Sequence, residues 1–466
     1  MYCHLSACRK LSVSLFWIIL AGLPCLGFNA CGGSGVGKTA YVGATVFDGS
    51  GAPPILDAVI IVANGHIEAI GPENQVKVPR GAQELRLDGR WVIPGLIDSH
   101  VHAADWTMTR FLSYGITTVR SMGGAADEMV ALRDAVSLGT QLGPRMFISG
   151  SMIDGSPGTR ASATAVASSS EARAAVDNGV LIDATQVKVY SKIDRNLLTA
   201  IMDEAQALQI PVVAHLGMVD AVSAAQMGVR SLEHMTGVVE ATVPDPSRLY
   251  RAHANFFSGW KRTSRSWAGL DSAALDGTAQ TLVTAGATIV PTLVLYETFA
   301  HLSDAEYAAL LDLSGVPEAT LDEWDVPDLI RRAQLSNSDF QVLRSARPTQ
   351  DLFVRLYRNH NGMIAAGTDT PNQLLAPGAS LHDELALLVD AGLSPREALL
   401  SATRNGARLL GVDSIGVLLP GNVADFVVLT GDPLEDINNT RTLDRVVFKG
   451  VSYHPSDFRL EWGQNQ

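Results

Sequence analysis

Two hydrophobic periodicities alternate along the chain. Residues 40–93, and again those beyond about residue 410, contain short apolar runs between turn residues, and Asn64-Gly65 predicts a hairpin within 58–71. Between residue 94 and about residue 410, short apolar runs alternate with segments of helical period, which predicts parallel strands joined by right-handed crossovers. The pattern therefore indicates an α/β core between two β-rich ends.

Eight apolar runs in the central region are typical of buried strands. Segments with helical period fall between them, for example at 128–138, 195–208 and 221–227. Eight such units fit a (β/α)₈ TIM barrel, whose reactive groups lie at the C-terminal ends of the strands. The predicted strands are 96–102, 116–121, 145–150, 186–190, 212–215, 231–234, 288–295 and 363–369.

The two β-rich ends complement each other. The strand patterns at 424–429 and 445–450 are of the same kind as those before residue 93. The strands before residue 93 do not form a complete β-domain by themselves. We expect one small β-sandwich built from residues 40–93 and 411–466, with the barrel occupying residues 94–410.

Composition narrows the chemistry. The chain has 466 residues, enough for one large and one smaller domain, and a formal net charge of −13. We expect no nucleic-acid partner, because phosphate binding needs a concentrated basic surface. All four cysteines lie within the first 31 residues, so if Cys31 is the first mature residue, the folded part has no cysteine for disulfides, catalysis or zinc binding. The chemistry then depends on His, Asp, Glu and Lys.

Residues 1–30 have the pattern of an export signal. Basic residues precede an apolar run over 11–28 that is short for a membrane span, and small residues follow. The sequence FNACGGSG is similar to a bacterial lipoprotein processing site with a Gly-rich tether at 31–39, although Phe28 replaces the usual Leu. We expect a periplasmic or membrane-anchored lipoprotein with lipid on Cys31. Ordinary cleavage with secretion and an uncleaved anchor are the alternatives.

Residues 32–39, GGSGVGKT, match the phosphate-binding pattern G-x-x-x-x-G-K-[ST]. That pattern binds phosphate where it follows a core strand and opens a helix. Here it follows the export signal and leads into a strand pattern at 41–47, so we interpret it as part of the tether.

Six ionisable residues fall at the C-terminal ends of predicted strands. Side chains alternate along a strand, so His100 and His102 point to the same side and can bind one metal ion together. On its own, this pair is equally compatible with a strand that merely carries two histidines. The ends of the fourth, fifth, sixth and eighth predicted strands add Lys188, His215, His234 and Asp369.

Short motifs occur in order along the chain: PGLIDSHVH (94–102), VKVY (187–190), VAH (213–215), LEH (232–234), AGTDT (366–370), HDEL (382–385), AGLSPREAL (391–399) and GNVADFVVL (421–429). Together they resemble the metal-dependent amidohydrolase superfamily and are similar to its imidazolonepropionase-like and prolidase-like branch. The resemblance extends from about residue 42 to residue 450.

The resemblance implies zinc, two ions per chain. By analogy, one ion is held by His100, His102 and Asp369, the second by His215 and His234, and both by Lys188 as a carbamate, an anionic oxygen ligand. One metal, with Lys188 an ordinary lysine paired with a carboxylate, is the alternative. The resemblance makes Asp369 the catalytic base as well, whereas a helix N-cap is its alternative role.

The reaction implied by the resemblance is hydrolysis of a C–N amide bond in a dipeptide, an N-acyl amino acid or a cyclic amide. A deaminase of the same fold is disfavoured, because Met218 stands where relatives that deaminate cytosine-type rings carry Glu. A phosphotriester or lactone hydrolase stays open. The alternative of another class is a catalytically inactive binding protein on the same barrel.

Candidate substrate contacts follow from position. Tyr190 shares the inward face of Lys188, and Tyr296 follows the seventh predicted strand. A basic and aromatic cluster at 256–267 makes Arg262 and Arg265 candidates to bind a substrate carboxylate, although a solvated helix face is favoured there. His382, just beyond the eighth predicted strand, is a further candidate to line the pocket.

The expected lipid anchor predicts a change of location for one variant. Replacing Cys31 by Ser removes the thiol that would carry the lipid, so we expect the protein to move from the membrane pellet to the soluble fraction. Fractionation of exporting cells with antibody detection measures this, and Cys25→Ser is the matched control. An unchanged distribution of the Cys31 variant would contradict the anchor.

Overall fold

The computed structural model describes residues 35–460 and residue 462. The expected export signal at 1–30 and the lipid site at Cys31 lie outside the described residues. None of the helices within the described part is long and apolar enough to cross a membrane.

The strands and helices alternate as predicted through the central region. The strands are β1 Lys38–Val46, β2 Ile55–Ala63, β3 His66–Pro72, β4 Gln83–Arg86, β5 Trp91–Pro94, β6 Leu96–Val101, β7 Ile116–Ser121, β8 Arg145–Ile148, β9 Ile153–Gly155, β10 Thr164–Val166, β11 Val187–Val189, β12 Val212–Ala214, β13 Ser231–Glu233, β14 Thr288–Val290, β15 Met363–Ile364, β16 Phe426–Leu429, β17 Leu443–Phe448 and β18 Val451–Tyr453.

The α-helices are α1 Met108–Ser113, α2 Ala126–Leu138, α3 Ser169–Leu181, α4 Arg195–Ala207, α5 Ala221–Gln226, α6 Val238–Thr242, α7 Ser247–Ala252, α8 Phe256–Ser266, α9 Ser272–Thr284, α10 Leu293–Ala300, α11 Ala305–Leu310, α12 Glu318–Glu323, α13 Val326–Arg332, α14 Asn337–Asn359, α15 Ala379–Asp390, α16 Pro395–Ser401, α17 Arg404–Leu410 and α18 Pro455–Arg459.

The two ends of the chain form one hydrogen-bonded sheet. Its strand order is β18-β17-β16-β5-β1-β2-β3, and β4 pairs with β1. The C-terminal strand β16 lies antiparallel to β5, with Phe426 opposite Pro94. Tyr41 packs edge-to-face on Phe426, with ring centroids 4.9 Å apart, so the apolar core of this β-domain draws on both ends.

The sheet begins earlier than the sequence pattern indicated. Lys38 and Thr39, assigned to the tether at 31–39, already belong to β1, where they lie opposite Ala63 and Val62. Lys38 also donates to Glu68 at 2.6 Å, which favours pairing at this end of the strand. The described part of the GGSGVGKT sequence, residues 35–39, therefore leads into a strand.

The central strands are parallel, which confirms the predicted α/β class. They form a three-stranded sheet, β6-β7-β8, and a seven-stranded sheet, β10-β9-β11-β12-β13-β14-β15. A bridge between Val101 and Thr370 links the sheets on one side, and the Thr185 amide donates to the Ile148 carbonyl on the other. The strand ladders do not close into one continuous barrel.

Two predicted strands are much shorter than expected: the run at 363–369 forms only β15, Met363–Ile364, and the run at 288–295 is shortened as well. The pattern at 288–295 predicts a single strand, but β14 ends at Val290 and α10 begins at Leu293. Pro291 has no N–H for a ladder, and Thr292 adopts a left-handed conformation with φ of 48°. The chain therefore turns into a helix at the point where the barrel strand ends.

A glycine lies at the junction of the β-domain and the barrel. The Gly95 amide donates to the Asp425 carbonyl at 2.9 Å. A Cβ at Gly95 would lie 2.2 Å from Oγ1 of Thr117, so only glycine fits without displacing the neighbouring strand. The Asp425 carboxylate also accepts from Arg145 at 2.8 Å, which binds the β-domain to the barrel.

Two insertions cover the C-terminal ends of the barrel strands. The first, between β13 and β14, contains α6 to α9, and the second, between β14 and β15, contains α10 to α14. They meet in an apolar cluster in which Phe257 and Trp260 pack against buried residues such as Leu329 and Phe340. The same two insertions form one wall of the cavity described below.

Candidate active site

Six ionisable side chains come together at the C-terminal ends of the barrel strands. They are His100 in β6, His102 after β6, Lys188 in β11, His215 after β12, His234 after β13 and Asp369 beyond β15. Five of them line a cavity of about 320 Å³, and His100 lies buried beneath it. The structure therefore gathers all six residues predicted from the strand ends.

The contacts within this cluster are short. Oδ1 of Asp369 lies 3.1 Å from Nε2 of both His100 and His102. Nζ of Lys188 lies 3.2 Å from Nε2 of His100. The rings of His100 and His234 have centroids 4.4 Å apart, and those of His215 and His234 are 5.0 Å apart. One ligand atom from each of His100, His234 and Asp369 fits within 4.8 Å of the others.

Three of the histidines are oriented by their outer ring nitrogens. Nδ1 contacts an oxygen in each case: Glu233 Oε2 at 2.6 Å for His100, the Gly123 carbonyl at 3.0 Å for His102 and Thr292 Oγ1 at 2.8 Å for His234. An N–H bond at Nδ1 leaves the Nε2 lone pair free toward the centre of the cluster, the arrangement typical of metal-binding histidines. The donor set thus fits a metal ion.

The charges within the cluster also fit a cation. Burial lowers the pKa of His234 to about 3 and that of Lys188 to about 8. Burial alone would raise the pKa of Asp369, but its contacts with His234, His100 and His102 hold the pKa well below its usual range. A carboxylate among imidazoles is a ligand set that divalent metals favour.

A buried ion pair supports His100. Nη2 of Arg120 donates to Glu233 at 2.8 Å, and Ser231 Oγ donates to the same carboxylate at 2.5 Å. Burial acts to raise the pKa of Glu233, but the Arg120 charge and the hydrogen bond with His100 outweigh it, so the pKa falls well below its usual value. Glu233 therefore stays anionic and fixes the orientation of the His100 ring.

The loop that carries Asp369 is held by a second buried carboxylate. Asp98 accepts from the amides of His100 and Thr368 and, at 2.7 Å, from the Thr368 hydroxyl. A Cβ at Gly367 would lie 2.6 Å from Val290, so this loop passes too close to β14 for a side chain. Sequence reasoning missed Asp98 and Glu233, although each lies within one of the quoted motifs, two residues or one residue before a histidine.

Two of the five predicted substrate contacts line the cavity. Tyr190 is there, stacked on Phe256 at 5.9 Å, and burial raises the pKa of its hydroxyl to about 12. Tyr296 is also there, and its hydroxyl donates to the backbone carbonyl of His234. Tyr296 therefore supports His234 as well as facing the cavity.

The other three predicted contacts lie outside the cavity lining. Arg262 is exposed on α8 and is absent from the cavity lining. Arg265 turns to α14, where it forms an ion pair with Asp339, because that buried carboxylate lies next to this end of α8. His382 is 1% exposed inside α15, and its ring lies between Thr440 Oγ1 at 2.9 Å and the Tyr114 carbonyl at 3.0 Å. It connects α15 to the C-terminal segment and to the residue after α1.

Several cavity residues were missed by the sequence reasoning. They are Arg160, Phe256, Phe257, Trp260, Arg332 and Asn372. The aromatic residues lie in the 256–267 cluster that the sequence singled out for its arginines. Arg160 follows the third barrel strand at the end where barrel loops line the site, so its position was a usable signal.

The chain is similar to a known protein family and to curated relatives. The model of the amidohydrolase family matches residues 91–452. An imidazolonepropionase from Hahella chejuensis is 38% identical over 88 residues, which make up 18% of this chain and 21% of the relative. An adenine deaminase from Ligilactobacillus salivarius is 29% identical over 136 residues, which make up 27% of this chain and 23% of the relative. The chain thus matches less than a quarter of the length of either curated relative.

A solved structure extends the likeness to nearly the whole chain. A Xaa-Pro dipeptidase with bound methionine in its active site has a TM-score of 0.66 at 20% identity. The alignment covers 90% of this chain and 100% of that chain, so the two share a fold.

The Glu233 contacts predict a specific effect on metal binding. We expect Glu233→Gln to weaken binding of a divalent metal by about 10- to 100-fold, because the amide no longer fixes His100 and leaves Arg120 without an anionic partner. Competition with a chromogenic chelator measures the affinity. Glu204→Gln, on α4 away from the cluster, is the matched control. Equal metal affinity in both variants would contradict this role.

Proposed function

The chain belongs to the amidohydrolase family, and from that premise we propose that it is a metal-dependent hydrolase that uses water to cleave a C–N amide bond. The expected substrates are dipeptides, N-acyl amino acids or cyclic amides. The observation that carries the proposal is the convergence of the Nε2 atoms of His100 and His102 on Asp369, with the outer nitrogen of each ring bonded elsewhere. Such pre-oriented ligands suit a resident metal ion.

The family binds divalent metals, and we infer zinc for this chain because imidazole and carboxylate groups are common zinc ligands. His100, His102 and Asp369 would hold one ion, and His215 and His234 a second. We infer that Lys188, carboxylated by carbon dioxide, bridges them. Its close contact is Nε2 of His100 at 3.2 Å, which supports a ligand role over an ordinary ion pair. When bound, such ions polarise a carbonyl and lower the pKa of water.

Asp369 is the residue that moves the proton in this proposal. Its low pKa keeps it unprotonated before the reaction, so it can accept a proton from the attacking water. It then donates this proton to the nitrogen of the leaving amine. Asn372, with Nδ2 at 3.3 Å from Oδ2 of Asp369, holds the carboxylate in position for both transfers.

Tyr190 is the proposed donor to the substrate carbonyl oxygen. Its raised pKa keeps the hydroxyl protonated at neutral pH, and its ring centroid lies 4.5 Å from that of His215. A neutral O–H beside the cluster can stabilise negative charge that develops on the oxygen.

The competing reactions differ in their substrates. An adenine deaminase is among the relatives, so adenine deamination is one alternative. Deamination of cytosine-type rings is disfavoured, because Met218 stands where relatives with that activity carry Glu. Phosphotriester and lactone hydrolysis and a binding protein without activity are further alternatives.

We place the protein outside the cytoplasm, in the periplasm or on a membrane through Cys31, on the sequence pattern of residues 1–39.

A substrate panel tests the reaction and the role of Asp369. The panel contains dipeptides, N-acyl amino acids, cyclic amides, adenine, a lactone and a phosphotriester. We expect hydrolysis of an amide by the wild type and a loss of about 10³-fold or more in kcat for Asp369→Asn, since the amide cannot accept the proton. Asp203→Asn, at an exposed site on α4, is the control. Full activity in the Asp369 variant would refute its assignment, and adenine or lactone turnover alone would favour an alternative.

Metal content tests the bridged site. We expect about two zinc ions per wild-type chain and about one or fewer for Lys188→Met, because the bridging ligand is lost. Elemental analysis of protein purified without chelator measures the ratio. One ion in both proteins would remove Lys188 from the ligand set. Protein that holds no metal and gains no activity on zinc addition would contradict the hydrolase proposal.

A further inference from the structure

Arg160 occupies a distinctive position in the cavity. It lies on the loop between β9 and β10 and lines the cavity together with Tyr190 and Phe256. Its guanidinium carbon is 5.6 Å from the centre of the Phe256 ring, and that ring stacks on Tyr190. The guanidinium also hydrogen-bonds the Tyr190 hydroxyl, and a guanidinium held over an aromatic face keeps its other N–H groups available for an anion.

The acidic group near this arginine is already engaged. Both oxygens of Asp154 accept from backbone amides: Gly155 at 3.0 Å and Lys192 at 2.9 Å on one oxygen, and Thr159 at 2.7 Å on the other. Asp154 therefore shapes the loop that carries Arg160.

The other cations around the cavity are already bound to groups of the protein. Arg332 also lines the cavity, but its Nε donates to Asp328 at 2.5 Å. Lys188, the lysine of the lining, contacts Nε2 of His100 at 3.2 Å. Within residues 35–460, Arg160 is thus the cavity arginine that forms no ion pair with a carboxylate, in a chain with a net charge of −13.

The cavity also has an aromatic wall, formed by Phe256, Phe257, Trp260 and Phe299, with Leu329 beside them. Trp260 packs on Phe299 with ring centroids 5.4 Å apart. Helix α8, which carries three of these residues, is fixed to α14 by ion pairs from Lys261 and Arg265 to Asp339. The wall is therefore held in place before a substrate arrives.

We propose that Arg160 binds a free carboxylate of the substrate while the aromatic wall holds a large apolar group, so that the preferred substrates are dipeptides or N-acyl amino acids with a large apolar residue and a free carboxylate. This inference rests on the proposed amide hydrolysis, but the preference for a carboxylate can be measured as binding, without turnover. A guanidinium forms two parallel hydrogen bonds with a carboxylate, which a neutral carboxamide cannot reproduce.

Equilibrium binding provides the test. The probes are N-benzoylglycine, N-acetylglycine and the carboxamide of each, titrated by calorimetry into zinc-loaded protein with Arg160 intact or replaced by Gln. A parallel series of the same titrations uses protein that also carries Asp369→Asn, which stops hydrolysis. With Arg160 intact we expect N-benzoylglycine to bind about 30-fold more tightly than its carboxamide, and Arg160→Gln to reduce that ratio to about 1 to 3.

Matched variants separate this role from general damage. Arg262→Gln on α8 and Arg332→Gln on α13 remove arginines that are exposed or paired, so both should keep the carboxylate preference. Trp260→Leu should reduce the preference for benzoyl over acetyl by about 10-fold without changing the carboxylate ratio. Arg160→Lys should restore part of the preference, because it keeps the charge without the planar fork.

The outcomes distinguish this inference from the proposed function. A carboxylate preference that survives Arg160→Gln, or one that disappears in Arg332→Gln, overturns the inference even if amides are hydrolysed. Equal binding of N-benzoylglycine and its carboxamide to the wild type overturns it too. If the preference is lost only when Arg160 is replaced, and the protein hydrolyses no member of the amide panel, the carboxylate subsite is supported and the hydrolase proposal is refuted.

Discussion

A buried ion pair between Arg120 and Glu233 underlies the geometry of the whole site. Their side chains are 1% and 0% exposed, so both charges are removed from water, and such a pair is tolerated only when its remaining polar atoms are bonded. Ser231, His100 and the Ser99 carbonyl provide those bonds. Removing one partner of such a pair costs about 3–5 kcal/mol. The orientation of His100, and through it the positions of Asp369 and Lys188, depends on this interaction.

Backbone strain is also present at the same site. His234, Thr292 and Asp369 all have left-handed φ angles, of 57°, 48° and 66°. Each such residue costs about 1–3 kcal/mol and persists only where surrounding contacts hold it. Here Tyr296 binds the carbonyl of His234, and Asp98 holds the loop before Asp369. The turns that end the barrel strands therefore aim side chains inward at the expense of backbone freedom.

The sequence was informative where structure depends on local pattern. Strand alternation and strand ends predicted His100 and His102 on one side, and the structure brings them onto Asp369. The sequence was misleading where the position of a side chain depends on a partner far away along the chain. Arg265 is taken up by Asp339, 74 positions away, and His382 by the Tyr114 carbonyl, 268 positions away. No periodicity encodes such pairs, and the same holds for the stacking that places Arg160 over Phe256.

The shared sheet of the two chain ends has a consequence for the order of folding. Strand β5 needs β16 as its neighbour, yet more than 300 residues of barrel are synthesised between them. Until β16 emerges, β5 presents an unpaired edge beside an incomplete apolar core, which is a template for association with other chains. Pairing at such sequence separation is also slow. Early stages of synthesis therefore carry an aggregation risk that the finished molecule does not, and chaperones that cover strand edges are best placed to limit it.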